Sequence, residues 1–288
     1  MKDETWEKVG SKFAHLTSAH PCYSHEAHFK FARIHLPVAP RCNIQCGYRT
    51  RKIDKCEYRP GVSACIVNAE EALKRVEEAR KNYPLKVVGI AGPGEVLANE
   101  ESFRTLKLVH EKYPELILCI ATNGLLLAEK AEELDRLNVK TVTVTINAIN
   151  PEIGAKIYEW VDYGGKRLKG VEAAKFLIEK QLEGVKASAD RGMAVKINTV
   201  LIPGLNEGEI ERIAVESKKR GAFIMNIIPL IPLHSFKDWR KPTCEELEKA
   251  REIASKHLRV FRLCRQCRAD ACGIPGKERA TGSTYFHG

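Results

Sequence analysis

The sequence contains no apolar run near the roughly 18 residues that a membrane-spanning helix needs, so a transmembrane protein is not expected. It has no cleavable leader pattern either. Its N-terminus, Met1-Lys-Asp-Glu-Thr-Trp6, is charged, which points to a cytoplasmic chain. Blocks of like charge are also missing. The formal net charge is +10, yet Lys and Arg alternate with Asp and Glu along the chain. That pattern marks solvated helix faces rather than a nucleic-acid-binding arm, and it leaves a basic surface for acidic partner proteins. Cysteine is the one scarce residue type that is plentiful here, with ten in 288 residues. In a reducing compartment thiols at close spacing serve as metal ligands more often than as bridges.

With 44% hydrophobic residues the chain can bury one large core. Segments of strand and helix character alternate from Ile34 to Ile228. The strands are expected at Ile34–Val38, Leu85–Ala91, Leu116–Thr122, Val139–Asn147, Val195–Ile202 and Ala222–Ile228. Helices fall between them, the first behind an Asn68 cap, and a last one runs from Thr243 to His257. Six βα units predict an α/β fold, a partial parallel (βα)6 TIM-type barrel in a single domain, with an irregular arm at 1–30, the barrel at 31–257 and a tail at 258–288. Arm and tail are expected to meet at the mouth formed by the C-terminal ends of the strands.

Side-chain parity within the strands carries more. Thr141, Thr143, Thr145 and Asn147 share one face, and Val142, Val144 and Ile146 share the other. Helices surrounding a barrel must meet the apolar face, so the polar face lines the lumen. The same parity turns His35, Cys119, Asn123, Lys196 and Asn198 inward. A purely structural barrel fills its lumen with branched apolar residues, so this lumen reads as a reaction chamber.

Three features carry chemistry. The first is Cys42-Asn-Ile-Gln-Cys46, after the first strand. It is the start of the Cys-x3-Cys-x2-Cys loop with which radical S-adenosylmethionine (SAM) enzymes hold a four-iron four-sulfur cluster, three thiolates leaving one iron open for SAM. The third position is Arg49, and a guanidinium has no lone pair for iron. The second is Gly89-Ile-Ala-Gly-Pro-Gly-Glu95, one βα unit later, where glycines admit a ligand to the backbone and a carboxylate can receive an ammonium group. The third is Cys264-Arg-Gln-Cys267, followed by Cys272 and pointing to an iron–sulfur site. Structural zinc would require a second pair at fixed spacing.

Together His20-Pro-Cys-Tyr-Ser24, Phe31-Ala-Arg-Ile-His35, Val38 to Cys46, Arg59-Pro-Gly-Val62, Gly89 to Gly94, Thr143 to Asn147 and Cys264 to Asp270 resemble the NifB family over nearly the whole chain. The resemblance implies a radical SAM enzyme of nitrogenase cofactor assembly. Such an enzyme fuses two four-iron clusters, inserts a SAM-derived carbon and adds a sulfur, giving an eight-iron carbide-centred precursor. It implies catalytic cluster ligands at Cys42 and Cys46, and a SAM surface from Gly92, Glu95, Thr145, Asn147 and the backbone near Ile197. It further implies one substrate cluster on Cys22, His35 and Cys119 and another on Cys264 and Cys267. Cys56 resembles a family cysteine that follows the loop, displaced by one residue. Ending at Gly288, the chain resembles the short form without a cofactor-carrier domain. The implied partners are cluster donors and cofactor-carrier or scaffold proteins, in an anaerobic or oxygen-protected cytoplasm. Arg49 predicts weak SAM-cluster binding. Two other readings stand beside this one: a radical SAM maturase of peptides or cofactors with auxiliary clusters, and a non-catalytic cluster carrier.

Overall fold

A computed structural model describes residues 13–277. In chain order the strands are β1 (Ala32–His35), β2 (Ile44–Cys46), β3 (Lys52–Ile53), β4 (Val62–Ser63), β5 (Leu85–Ile90), β6 (Ile117–Thr122), β7 (Val139–Thr145), β8 (Tyr158–Tyr163), β9 (Lys166–Leu168), β10 (Ala194–Leu201), β11 (Ile224–Pro229), β12 (Arg259–Val260) and β13 (Cys272–Gly273). The helices are α1 (Ala14–Thr17), α2 (His25–Lys30), α3 (Ala69–Asn82), α4 (Glu100–Lys112), α5 (Leu127–Arg136), α6 (Pro151–Ile157), α7 (Gly170–Asp190), α8 (Ile210–Lys219) and α9 (Cys244–Ser255).

The main sheet runs β12-β11-β10-β7-β6-β5-β1-β13. The six central strands are those read from the sequence and pair in parallel. Their helix-facing residues, such as Ile34, Val88, Leu118, Val142 and Ile197, join one large apolar core. Local chemistry sets the helix starts. The Asn68 side chain accepts from Glu71 N ahead of α3, and Thr243 and Glu246 form a reciprocal capping box ahead of α9. The first strand is shorter than expected, because Pro37 has no N–H to continue the ladder.

Six strands do not close a barrel, and the chain covers the remaining gap with its own C-terminal segment. Arg259 and Val260 pair in parallel with β11, the last of the six central strands, while Cys272 and Gly273 pair antiparallel with β1, the first. The intervening stretch, which holds Cys264 and Cys267, therefore crosses from one open edge to the other. Both edges gain partners for their exposed backbone groups.

Three expectations need correction. The arm does not meet the tail at the mouth formed by the strands' C-terminal ends; it covers the opposite end. Phe13, Leu16 and Tyr23 pack with Ala194 and Ile224, the first residues of β10 and β11, and Tyr23 Oη donates to Ala194 O at 3.2 Å. Burying this apolar cluster under the strands' N-terminal ends is what places Cys22 at the floor of the lumen. The arm is also not irregular throughout, since a Ser24 cap accepting from Ala27 N starts α2. Residues 148–169, where no strand is expected, form α6 and the hairpin β8–β9, and β8 pairs antiparallel with β2. The cysteine loop thus belongs to a second, three-stranded sheet. The ends of the expected arm and tail, 1–12 and 278–288, lie outside the described residues.

Candidate functional site

One continuous cavity runs along the lumen, and the inward faces of all six central strands line it. His35, Cys119, Asn123, Lys196 and Asn198 all border it, as side-chain parity predicts. Its two ends differ in chemistry.

At the mouth stand Cys42, Cys46 and Arg49 of the loop, with Glu95, Asn123 and Thr145. The Gly-Pro-Gly-Glu turn holds the loop entry through the backbone: Gly94 N donates to Ala39 O at 2.6 Å and Glu95 N to Arg41 O at 2.8 Å. Glu95 is buried and accepts from Thr122 Oγ1 (2.5 Å), Asn123 N (2.7 Å) and Leu97 N (3.1 Å). Burial raises its pKa, with these donors opposing. A carboxylate has about four acceptor positions, so one direction is left for a ligand. Asn123 Nδ2 bonds Asn43 Oδ1 at 2.7 Å and reaches Cys42 Sγ at 3.9 Å, which ties the first loop thiol to the end of β6.

Burial raises the Cys46 thiol to about 11 and also raises Cys42. The Arg49 guanidinium opposes both shifts, and Arg51 opposes that of Cys42 more strongly. Arg49 therefore places a fixed cation at the loop where the motif has a third thiolate. Cys56 is exposed and does not border the cavity.

Asn147 is fully buried. Its amide donates to Tyr48 Oη (2.9 Å) and Tyr158 Oη (3.2 Å) and accepts from Val200 N (2.9 Å), so it joins the loop to β8 and β10 without bordering the cavity. Ile197 faces the helix-side core, and Gly92 sits behind the mouth at φ +126°, with Ala269 Cβ 3.6 Å from the place its own Cβ would take.

At the floor are Cys22, His35 and Cys119, with Cys264 and Cys267 on the crossing tail. Burial raises Cys22 to about 12. Lys196 opposes this, while the neighbouring thiols Cys267 and Cys119 add to it. The two groups of donors therefore face one space. Among the described residues no three His, Cys, Asp or Glu side chains converge on a single metal ion. The donors are instead spread around the wall of a wide chamber.

Cations dominate here. Arg33 is fully buried, donating from Nη1 to Gly273 O at 2.6 Å and from Nη2 to Cys267 Sγ at 3.0 Å. Lys196 Nζ donates to Cys22 O at 3.3 Å and lies 4.8 Å from the centre of the Tyr23 ring. Buried cations without carboxylate partners favour an anionic guest.

Sequence reasoning missed Arg33, although it shares the inward parity of His35 two residues later. It also left the Cys-Arg-Ala-Asp run of the tail without a role. Arg268 pairs with Asp270 (Nε–Oδ1 2.8 Å) and donates to Asp54 O and Glu57 O, while Asp270 Oδ2 accepts from Ala64 N at 2.6 Å. This clamp fixes the tail against the segment that follows the cysteine loop.

The chamber histidines carry a pH signature. Burial lowers His20 well below its usual value, lowers His28, and brings His35 down to about 4 with help from Arg33. Unfolded histidine, near 6.5, takes up a proton that native His35 refuses. The metal-free protein is therefore expected to lose stability as pH falls from about 6.5 toward 4, by about 3 kcal/mol from His35 alone. Urea melts at pH 7.5 and pH 4.5 check this. His35→Asn should lose less than the native chain over that interval, and equal losses would refute the assignment.

The chain matches the radical SAM superfamily over residues 36–216. It is 51% identical to the FeMo cofactor biosynthesis protein NifB of Methanocaldococcus infernus, over 96% of this chain and 92% of that protein. It is 42% identical to the NifB protein of Bradyrhizobium diazoefficiens, over 98% of this chain and 56% of that one. Among solved structures it resembles a radical SAM methyltransferase from Sphaerobacter thermophilus, with TM-score 0.55 and 18% identity over 80% of this chain and 64% of that one. It also resembles methylornithine synthase (PylB), with TM-score 0.55 and 10% identity over 81% and 65%. These two likenesses bear on the fold.

Proposed function

The chain belongs to the NifB family of the radical SAM superfamily, and from that premise we propose that its single domain is organised to fuse two four-iron clusters and insert a SAM-derived carbide. The product would be the eight-iron precursor of the nitrogenase cofactor. The observation that carries this reading is the shared chamber: Cys22, His35 and Cys119 border it together with Cys264 and Cys267. Two substrate clusters held on separate frameworks could not merge, whereas two held in one space are already in each other's reach. The buried cations Arg33 and Lys196 suit anionic thiolate-bound clusters, and the thiols must give up protons as iron binds. Glu95 and Thr145 would face SAM, with Gly92, Asn147 and the Ile197 backbone supporting them from behind. Donors of clusters and carriers of the product would be the partners, and acidic ones would suit a chain of net charge +10.

Family membership implies SAM and a resident four-iron cluster at the loop. Cys42 and Cys46 suit two irons of that cluster, but Arg49 does not suit the third. In this chain the substrate half of the site is intact and the radical-generating half is impaired. That imbalance gives weight to a second reading, a non-catalytic cluster carrier.

Products separate the readings. In an Arg49→Cys form supplied anaerobically with iron, sulfide, reductant and SAM, the carbide reading expects both S-adenosylhomocysteine and deoxyadenosine. Deoxyadenosine alone would favour a maturase of peptides or other cofactors. Bound iron with neither product would favour a carrier.

A further inference from the structure

Three histidines line the floor of the chamber, and the partner of each Nδ1 decides what its other nitrogen offers. His20 Nδ1 accepts from Cys22 N at 3.1 Å, so its Nε2 carries the proton. His35 Nδ1 faces Arg268 O at 3.1 Å, and His28 Nδ1 faces Pro21 O at 2.7 Å. A carbonyl only accepts, so both of these Nδ1 atoms are protonated and both Nε2 atoms keep a lone pair. A backbone carbonyl behind an imidazole is also the arrangement that orients metal-binding histidines. His35 already has a place in the proposed substrate site, but His28 has none.

His28 is 2% exposed, and its Nε2 is buried with no hydrogen-bond partner. Its ring is 5.9 Å from that of Phe261, at the start of the crossing tail. Arg265 and Arg33 both act on its charge, and Arg33 is the residue that touches Cys267. His28 therefore packs beside the start of the tail and borders the same chamber as Cys264 and Cys267, where two cysteines alone stand against three donors at the other group. We propose that His28 Nε2 is the third protein ligand of the substrate cluster held by Cys264 and Cys267. The inference rests on the reading that this pair holds a cluster. It makes the two sites alike, each with three protein ligands and one iron left open toward the other cluster.

The test uses the full chain carrying Cys22→Ala and Cys119→Ala, reconstituted anaerobically with ferrous iron and sulfide without SAM, then reduced. Pulsed electron paramagnetic resonance is expected to show nitrogen coupling to the cluster. His28→Gln, whose amide can still donate to Pro21 O, should abolish that coupling. His28→Cys should retain iron without it. Circular dichroism confirms that each variant is folded, and if His28→Gln is not, His28→Cys carries the comparison. Nitrogen coupling that persists in either folded variant, or is absent from the parent despite bound iron, would overturn the proposal. Iron uptake that is nil in the parent, or unchanged when Cys264 and Cys267 are also replaced, would instead overturn the underlying reading and the proposal with it.

Discussion

Replacing Arg49 with cysteine is expected to raise SAM cleavage by about 100-fold or more, the advantage of a tethered ligand over one supplied from solution. The present loop offers two thiols, both made harder to ionise by burial, and a guanidinium that partly offsets that burial. A third thiolate would complete the ligand count and remove the cation from the third-ligand position. Rescue by Cys56 is not available in this conformation, because Cys56 is exposed on the segment beyond β3, where its N–H bonds Asp54 Oδ1 at 2.7 Å. Deoxyadenosine formation should therefore be similarly low in the native chain and in Cys56→Ala, and high in Arg49→Cys with or without Cys56. Rapid cleavage by the native chain would show that two loop thiolates suffice.

Gly94→Ala is expected to be the most disruptive single change at the mouth. A methyl group there would lie 2.2 Å from Arg41 O, 2.6 Å from Arg41 C and 2.8 Å from Ala39 O. All three are backbone atoms of the cysteine-loop entry, and none can turn away as a side-chain tip would. The short pairing that joins residues 39–41 to 93–95 must separate, taking Cys42 from Asn123 and Glu95 from its place. The loss is expected at about 3 kcal/mol, the upper part of the range for overpacking. That corresponds to a fall of about 6–12 °C in Tm for a domain of this size. Gly208→Ala serves as the control, since nothing lies within 4 Å of its added methyl. Equal thermal stability of the two variants would contradict the account of the loop's anchorage.

The contrast between these positions explains what the sequence could reveal. Gly94 and Glu95 could be read as ligand chemistry because Gly-Pro-Gly-Glu is local, and the turn depends on neighbouring residues. The alternation of Thr141, Thr143 and Thr145 with Val142 and Val144 revealed the lumen for the same reason: strand parity repeats every two residues. What escaped were contacts between distant segments. No local pattern says that Tyr23 will bond Ala194 O, 171 residues away, and so bring Cys22 to the chamber floor. Nor does any local pattern place α6, β8 and β9 beneath the cysteine loop, because the position of β8 is set by its pairing with the distant β2, Ile44 opposite Val161. His28 is an extreme case. On the sequence it is one polar residue in a short helix of the arm, and only the Pro21 carbonyl and the Phe261 ring give its free nitrogen a meaning.

Iron and acid-labile sulfide per chain, after anaerobic reconstitution and removal of unbound metal, test the central claim most directly. A chamber that holds two substrate clusters beside a loop that holds none predicts about eight irons in the native chain and about twelve in Arg49→Cys. About twelve in the native chain would contradict the impaired loop, and about four or fewer would contradict a chamber that holds two clusters.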